Sequence, residues 1–208
     1  MQHLLKNMKY IIELVVYRVK NNPSENKQVI INKTNAGLAK LDGYISREVY
    51  QSTEDPNLLF DYVTWDNLEN AVNAANNMNK IPELGDFIQL IEKTEIFEHF
   101  SFSNQHSLTD KETKTVELVI YQLKEENNNQ IRDFFSTYNA EIKNAEGYNN
   151  RVLLQSVKNK NVWAERVFWD SVSQAKENEL AMQQNPTLGD AFSIVEKVII
   201  MKHFVKFE

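Results

Sequence analysis

The stretch ELVVYRVK beginning at Glu13 returns as ELVIYQLK at Glu117, and the same displacement lays LDGYISREVYQS from Leu41 over AEGYNNRVLLQS from Ala145. It also pairs VTWD at Val63 with VFWD at Val167, PELGDF at Pro82 with PTLGDA at Pro186, and the His-Phe dipeptides at His99 and His203. A constant offset of 104 residues carries every match without a gap. Self-similarity at one fixed offset marks a repeated structural unit. The chain therefore reads as a tandem duplication, residues 1–106 and 107–208, joined through the polar run SFSNQHSLTDKETK from Ser101 to Lys114.

Each copy repeats one order of elements. Tyr10 to Val19 is rich in β-branched and aromatic residues and reads as a strand. Ser24 to Leu41 carries an apolar stripe that is clearer in the second copy, where Ile131, Phe134, Phe135, Tyr138 and Ile142 fall at helical spacing. Gly43 and Gly147 are expected to end that helix. Tyr44 to Ser52 and Leu58 to Trp65 form a hairpin around TEDPN, Leu68 to Met78 a second helix closed by Pro82, and Phe87 to Phe100 contains a fourth strand. Strand, helix, strand, strand, helix, strand is the ferredoxin-like split βαβ unit of the α+β class. Helices cover one face of such a sheet, so the other face needs apolar cover, which a second identical sheet supplies. The expectation is two repeats packed sheet to sheet as an eight-stranded barrel within one polypeptide, a pseudo-dimer to which further homodimerisation can be added.

Composition narrows the chemistry. The chain has no cysteine, which removes disulfides, thiolate metal sites and thiol nucleophiles and suits a reducing cytoplasm. A formal charge of −6 with no basic block argues against a grip on nucleic acid. No apolar run approaches the roughly 20 residues that cross a bilayer, and Glu13 interrupts the run near the start, which reads as a strand rather than a leader. No Gly-rich phosphate loop, Ser-centred elbow or HExxH motif is present.

Several residues stand out as candidates. Glu13 and Glu117 sit inside apolar strands on the face of Tyr17 and Tyr121, and a buried carboxyl group demands a donor. Arg47 and Arg151, or Lys93 and Lys197, are the expected partners; a general base is the alternative role. His99 and His203 lie in the last strands, either as structural groups or for proton transfer, and no acidic cluster at ligand spacing accompanies them to make a metal site. Trp65 and Trp169 share a strand face with Val63 and Val167 and either fill the core or, with Tyr44 and Tyr148, wall a pocket for a flat ligand. Asp66 and Asp170 are expected as helix N-caps, with Glu69 completing a capping box after Asp66. The copies differ on strand three: Leu59, Phe60, Asp61 and Tyr62 correspond to Trp163, Ala164, Glu165 and Arg166. Arg166 with Trp163 and Trp169 favours the second copy as the better ligand site.

The Gly-Tyr entry to strand two, the Trp-Asp end of strand three at Trp65 and Trp169, and the following helix with Ala71 and Ala75 before a Pro-containing turn resemble the antibiotic biosynthesis monooxygenase-like (ABM) domains of the dimeric α+β barrel superfamily. The resemblance spans nearly the whole chain. It implies a covalently joined dimer with a pocket in each half, and an oxygenase that needs neither metal nor organic cofactor and acts on a small aromatic or quinol-like molecule. The superfamily's haem-degrading branch pairs the strand-three Trp with a His on helix two and an Asn on strand one. Here Ala75 and Glu179 stand near the His position and neither first strand carries Asn. The other functional expectation is a non-catalytic module that binds a small apolar ligand or a protein partner.

Overall fold

The computed structural model describes residues 10–21, 26–103, 115–125 and 130–207. The expected start of the first helix at Ser24 and the expected domain boundary after residue 106 lie outside these residues. The chain forms two compact units, the first running to Phe102 and including Phe207, the second Ser103–Lys206.

The first unit contains β1 (Ile11–Val19), α1 (Lys27–Leu38), β2 (Tyr44–Ser52), β3 (Leu58–Trp65), α2 (Leu68–Asn77), α3 (Gly85–Leu90) and β4 (Ile91–Phe102). Its strands lie antiparallel in the order β2, β3, β1, β4. The second contains β5 (Thr115–Leu123), α4 (Ile131–Ile142), β6 (Tyr148–Ser156), β7 (Val162–Trp169), α5 (Val172–Gln183), α6 (Pro186–Phe192) and β8 (Val195–Lys206). There the order is β6, β7, β5, β8, again antiparallel. The fold is mixed α and β.

Side chains alternate across each strand. In the first unit one sheet face sends Tyr17, Val19, Val49 and Leu59 against Ile30 and Ile31 of α1 and Phe87 and Leu90 of α3. Further along, Ile11, Val63 and Trp65 meet Leu38, Ala71, Ala74 and Leu84. Small residues on α2 let the helix approach Trp65 closely. The other face carries Ile12, Leu14, Val16 and Phe60, all at most 1% exposed. In the second unit Tyr121, Leu153 and Trp163 pack on Phe134 and Phe135, and Val167 and Trp169 on Ile142 and Ala175.

Two local expectations are corrected. The first helix ends at Leu38, and at Ile142 in the second unit, ahead of the glycines. Gly43, at φ 75°, instead turns the chain into β2, and an added Cβ would sit 2.1 Å from Asp66 Oδ1. The N-caps are Asn67 and Ser171, whose side chains accept from the backbone N–H groups of Asn70 and Gln174. Asp66 still belongs to the strand end, its N–H donating to Gly43 and its Oδ1 accepting from the side chains of Asn67 and Asn70. The fourth strand begins within the expected stretch, at Ile91, and Phe87 to Leu90 ahead of it is helical. Pro82 opens a short 3-10 turn there, and Leu84, Phe87 and Leu90 recur at the three-residue spacing of a helix face.

Candidate functional site

A cavity of about 290 Å³ lies within the first unit between the sheet and its helices. Trp65, Phe87 and Phe97 supply aromatic walls, and Val15, Val63, Leu38, Leu84, Met78, Ile88 and Ile91 aliphatic ones. Its polar lining comes from Glu13, Thr34, Arg47, Asp61, Asn79 and Thr94. Asn79, Thr94 and Phe97 are the exposed members and mark the mouth.

The register of the sheet explains the site. Glu13 of β1 stands between Val63 of β3 and His99 of β4, and Val15 between Asp61 and Phe97. Arg47 of β2 is level with Val63. Because β3 lies between β1 and β2, the acid that Arg47 reaches is on β3. Its Nε donates to Asp61 Oδ2 at 2.8 Å, its Nη2 lies 2.6 Å from the same oxygen, and its Nη1 donates to Asn35 Oδ1 at 3.0 Å. Tyr17 donates to Asp61 Oδ1 at 3.0 Å. Burial pushes the Asp61 carboxyl and the Tyr17 phenol up, against the pull of the Arg47 guanidinium. Arg47 also lies 4.9 Å from the Phe87 ring centroid, a cation–π contact.

The expected pairing of Glu13 with Arg47 or Lys93 is therefore corrected: Glu13 Oε2 lies 3.1 Å from His99 Nε2. His99 does not line the cavity; it backs Glu13, and Phe97 meets its ring edge-on at 5.4 Å. Trp65 lines the cavity at 1% exposure, and its Nε1 has no hydrogen-bond partner. Tyr44 stands behind Trp65, edge-on at 5.8 Å, rather than in the cavity wall.

The second unit uses the corresponding positions differently. Tyr138 stands where the first unit has Thr34, and Trp163 where it has Leu59. Trp163 tilts against Phe135 at 5.2 Å, while the Arg151 guanidinium lies 4.7 Å from the Tyr138 ring centroid and 5.4 Å from that of Phe135. Of these rings Tyr138 stands at a cavity-lining position of the first unit, that of Thr34, and the cavity described lies in the first unit, whereas the sequence favoured the second. Arg151 pairs with Glu165 at 3.0 Å, not with Glu117, and Tyr121 donates to Glu165 at 2.6 Å. Glu117 accepts from Trp169 Nε1 at 3.2 Å and lies apart from Lys197; burial pushes its carboxyl up to about 8. Tyr148 backs Trp169 edge-on at 5.8 Å. His203 is buried, with Nε2 3.9 Å from Glu179 Oε2. Arg166 is on the opposite sheet face from Glu165 and Trp163, with its guanidinium 4.6 Å from the Phe168 ring centroid, so it does not join Trp163 and Trp169 in one wall.

Asp61 and Glu165 as arginine partners escaped the sequence reading. The signal was there: each is an acid inside an apolar strand, four residues before Trp65 or Trp169 and hence on the same face. Phe87 and Phe97 also escaped, since the stretch from Phe87 to Phe100 was read only as containing the fourth strand. Among the described residues no group of three or more His, Cys, Asp or Glu is assembled to hold a metal ion. At the place of the haem branch's helix-two His, Ala75 offers the cavity a methyl group and no ligand atom.

No family model matches the sequence, and no curated protein matches it. Solved structures do. An anthrone oxidase-like protein is 12% identical, with 97% of this chain and 93% of that one covered at a TM-score of 0.70. A monooxygenase-like protein from Listeria innocua is 12% identical, with 95% of each chain covered at 0.56. A chlorite dismutase variant from Candidatus Nitrospira defluvii is 10% identical, with 100% of this chain and 94% of that one covered at 0.71. At such identities the likeness shows the fold alone: this chain has the mixed α and β fold common to monooxygenase-like and chlorite dismutase structures.

Proposed function

We propose that the protein is a monooxygenase of the ABM type, acting in the cavity of the first unit on a small aromatic or quinol-like molecule without a resident metal or cofactor. Its two units are read as ferredoxin-like repeats from a tandem duplication, joined as one α+β barrel. Support for the barrel comes from the burial of Ile12, Leu14, Val16 and Phe60 on the sheet face that the helices do not cover, and from the coverage of 95–97% of the chain by solved relatives. Among the described residues no helix is long and apolar enough to cross a membrane.

The observation that carries the enzymatic reading is a carboxyl group, Glu13, opening into an aromatic-walled cavity beside Trp65. At about 290 Å³ the cavity stands at the lower end of the range of roughly 300–1,000 Å³ typical of ligand pockets. Glu13 takes a proton from an acidic carbon or hydroxyl of the ligand, and the resulting carbanion or phenolate passes an electron to dioxygen. For a benzylic methylene the balance is one dioxygen consumed, one oxygen atom retained as a ketone and the other released as water. Oxygen uptake with 1,8-dihydroxyanthrone, alongside binding followed by tryptophan fluorescence, tests this. Uptake that disappears in Glu13→Gln is the expected result.

A second reading is favoured by the mutual satisfaction of Arg47, Asp61 and Tyr17, which leaves the cavity few polar groups for chemistry. A non-catalytic binder of small apolar ligands has the same walls. Tight binding of the anthrone with no oxygen uptake selects this reading over the first.

A further inference from the structure

The two units resolve one pair of side chains in opposite ways. Glu13 and His99 face each other across β1 and β4, as Glu117 and His203 do across β5 and β8. In the first unit the carboxyl group and the ring meet at 3.1 Å. In the second, Glu117 turns to the Trp169 indole at 3.2 Å, and the carboxyl group approaching His203 is that of Glu179, at 3.9 Å. Glu179 lies on α5; the corresponding residue of α2 is Ala75, which cannot compete for His99. The consequence reaches the tryptophans, since Trp65 Nε1 is left without the acceptor that Trp169 has.

We propose that Glu13 and His99 form the proton exit of the first unit's cavity, and that an acidic side chain at the Ala75 position, as Glu179 is in the second unit, disables it. The geometry is that of a two-step path. Glu13 lines the cavity, while His99 lies behind it, outside the lining, with 14% of its side chain exposed. The other charged or titratable groups facing Glu13 are Arg47 on β2, Asp61 on β3 and Tyr17 on β1, and these are bonded to one another. From the helices the lining presents Thr34, Leu38, Ala74, Ala75, Phe87 and Ile88, none of which titrates.

In the step proposed, a C–H or O–H bond of the ligand breaks and its electron pair stays on the ligand. An O–H bond forms on Glu13; that bond then breaks as an N–H bond forms at His99 Nε2, 3.1 Å away, and an N–H bond of the resulting imidazolium breaks as water takes the proton. The pair thus carries no more protons after turnover than before. In the second unit burial raises the Glu117 carboxyl to about 8 and the Trp169 indole donates to it, so the group turns away from His203 and is a poor base.

This inference rests on the reading of the cavity as a site for an acidic aromatic molecule, and the test separates the two. The probe is 1,8-dihydroxyanthrone in deuterated buffer without oxygen, with exchange of its methylene protons followed by NMR and its binding by fluorescence. The wild type accelerates exchange; His99→Gln loses about 100-fold of that acceleration, the size of a general acid–base contribution, with affinity unchanged within about threefold. Added imidazole restores exchange in His99→Gln, which a merely structural histidine would not allow. Ala75→Glu loses exchange in the same way. Exchange without later oxygen uptake refutes the oxygenase reading and upholds the proton exit. Undiminished exchange in His99→Gln, or no response to imidazole, overturns the proton exit alone, whereas bound anthrone that never exchanges in the wild type overturns the oxygenase reading with it. Absence of binding overturns both.

Discussion

Glu117 offers a stability measurement in which the sign and the size follow from the structure. Burial raises its carboxyl from 4.5 to about 8, the indole of Trp169 opposing the shift and Glu165 and Glu179 adding to it. A carboxyl raised in the folded state holds its proton more tightly there than in the unfolded chain. Its contribution is therefore fully present below the unfolded value and is lost as pH rises through the folded one. Integrating the linkage gives a loss of about 2 kcal/mol by pH 6 and about 3 kcal/mol by pH 7, approaching ~5 kcal/mol above pH 9. Glu117→Gln keeps an acceptor for Trp169 Nε1 and cannot ionise, so all other groups cancel in the comparison. The variant should match the wild type near pH 4 and exceed it by about 3 kcal/mol at pH 7. Urea unfolding of both proteins at pH 4, 6 and 7 measures this. A stability difference that stays flat across that range would refute the burial of Glu117 as a neutral acid.

Replacing Tyr138 with Thr and Trp163 with Leu should open a second cavity: anthrone stoichiometry measured by calorimetry should rise from one to about two per chain, and the protein should lose roughly 3–5 kcal/mol. Asp61→Ala leaves the buried Arg47 guanidinium without its partner and should cost about 3–5 kcal/mol in a denaturant melt, whereas the joint replacement of Asp61 and Arg47 by apolar residues should cost less than that single change. Gly43→Ala forces a side chain into the left-handed region against Asp66 and Asn70 and should lower stability by about 1–3 kcal/mol, visible as a reduced thermal midpoint. Trp65→Phe should weaken anthrone binding while Trp169→Phe leaves it unchanged, because only Trp65 lines the cavity.

Much of the fold is written in short-range pattern. Alternation in ELVVYRVK and ELVIYQLK places Glu13 and Glu117 on the face of Tyr17 and Tyr121, and that placement holds in the structure because a strand's side-chain period is two. The hairpins and the helices from Leu68 and Val172 follow from turn residues and apolar spacing in the same way. Even the buried acids announce themselves, since a carboxyl group inside an apolar strand must find a donor. Which donor it finds is a question of register. Arg47 meets Asp61 because β3 separates β2 from β1, and sequence spacing carries no information on strand order. The open cavity is likewise a sum over elements distant in the chain: Thr34 on α1 and Ala75 on α2 line it with small side chains, where the other half has the larger Tyr138 and Glu179. Local pattern sets which face a side chain occupies, but volume and pairing depend on what arrives from the opposite layer, and only the packed structure brings those side chains together.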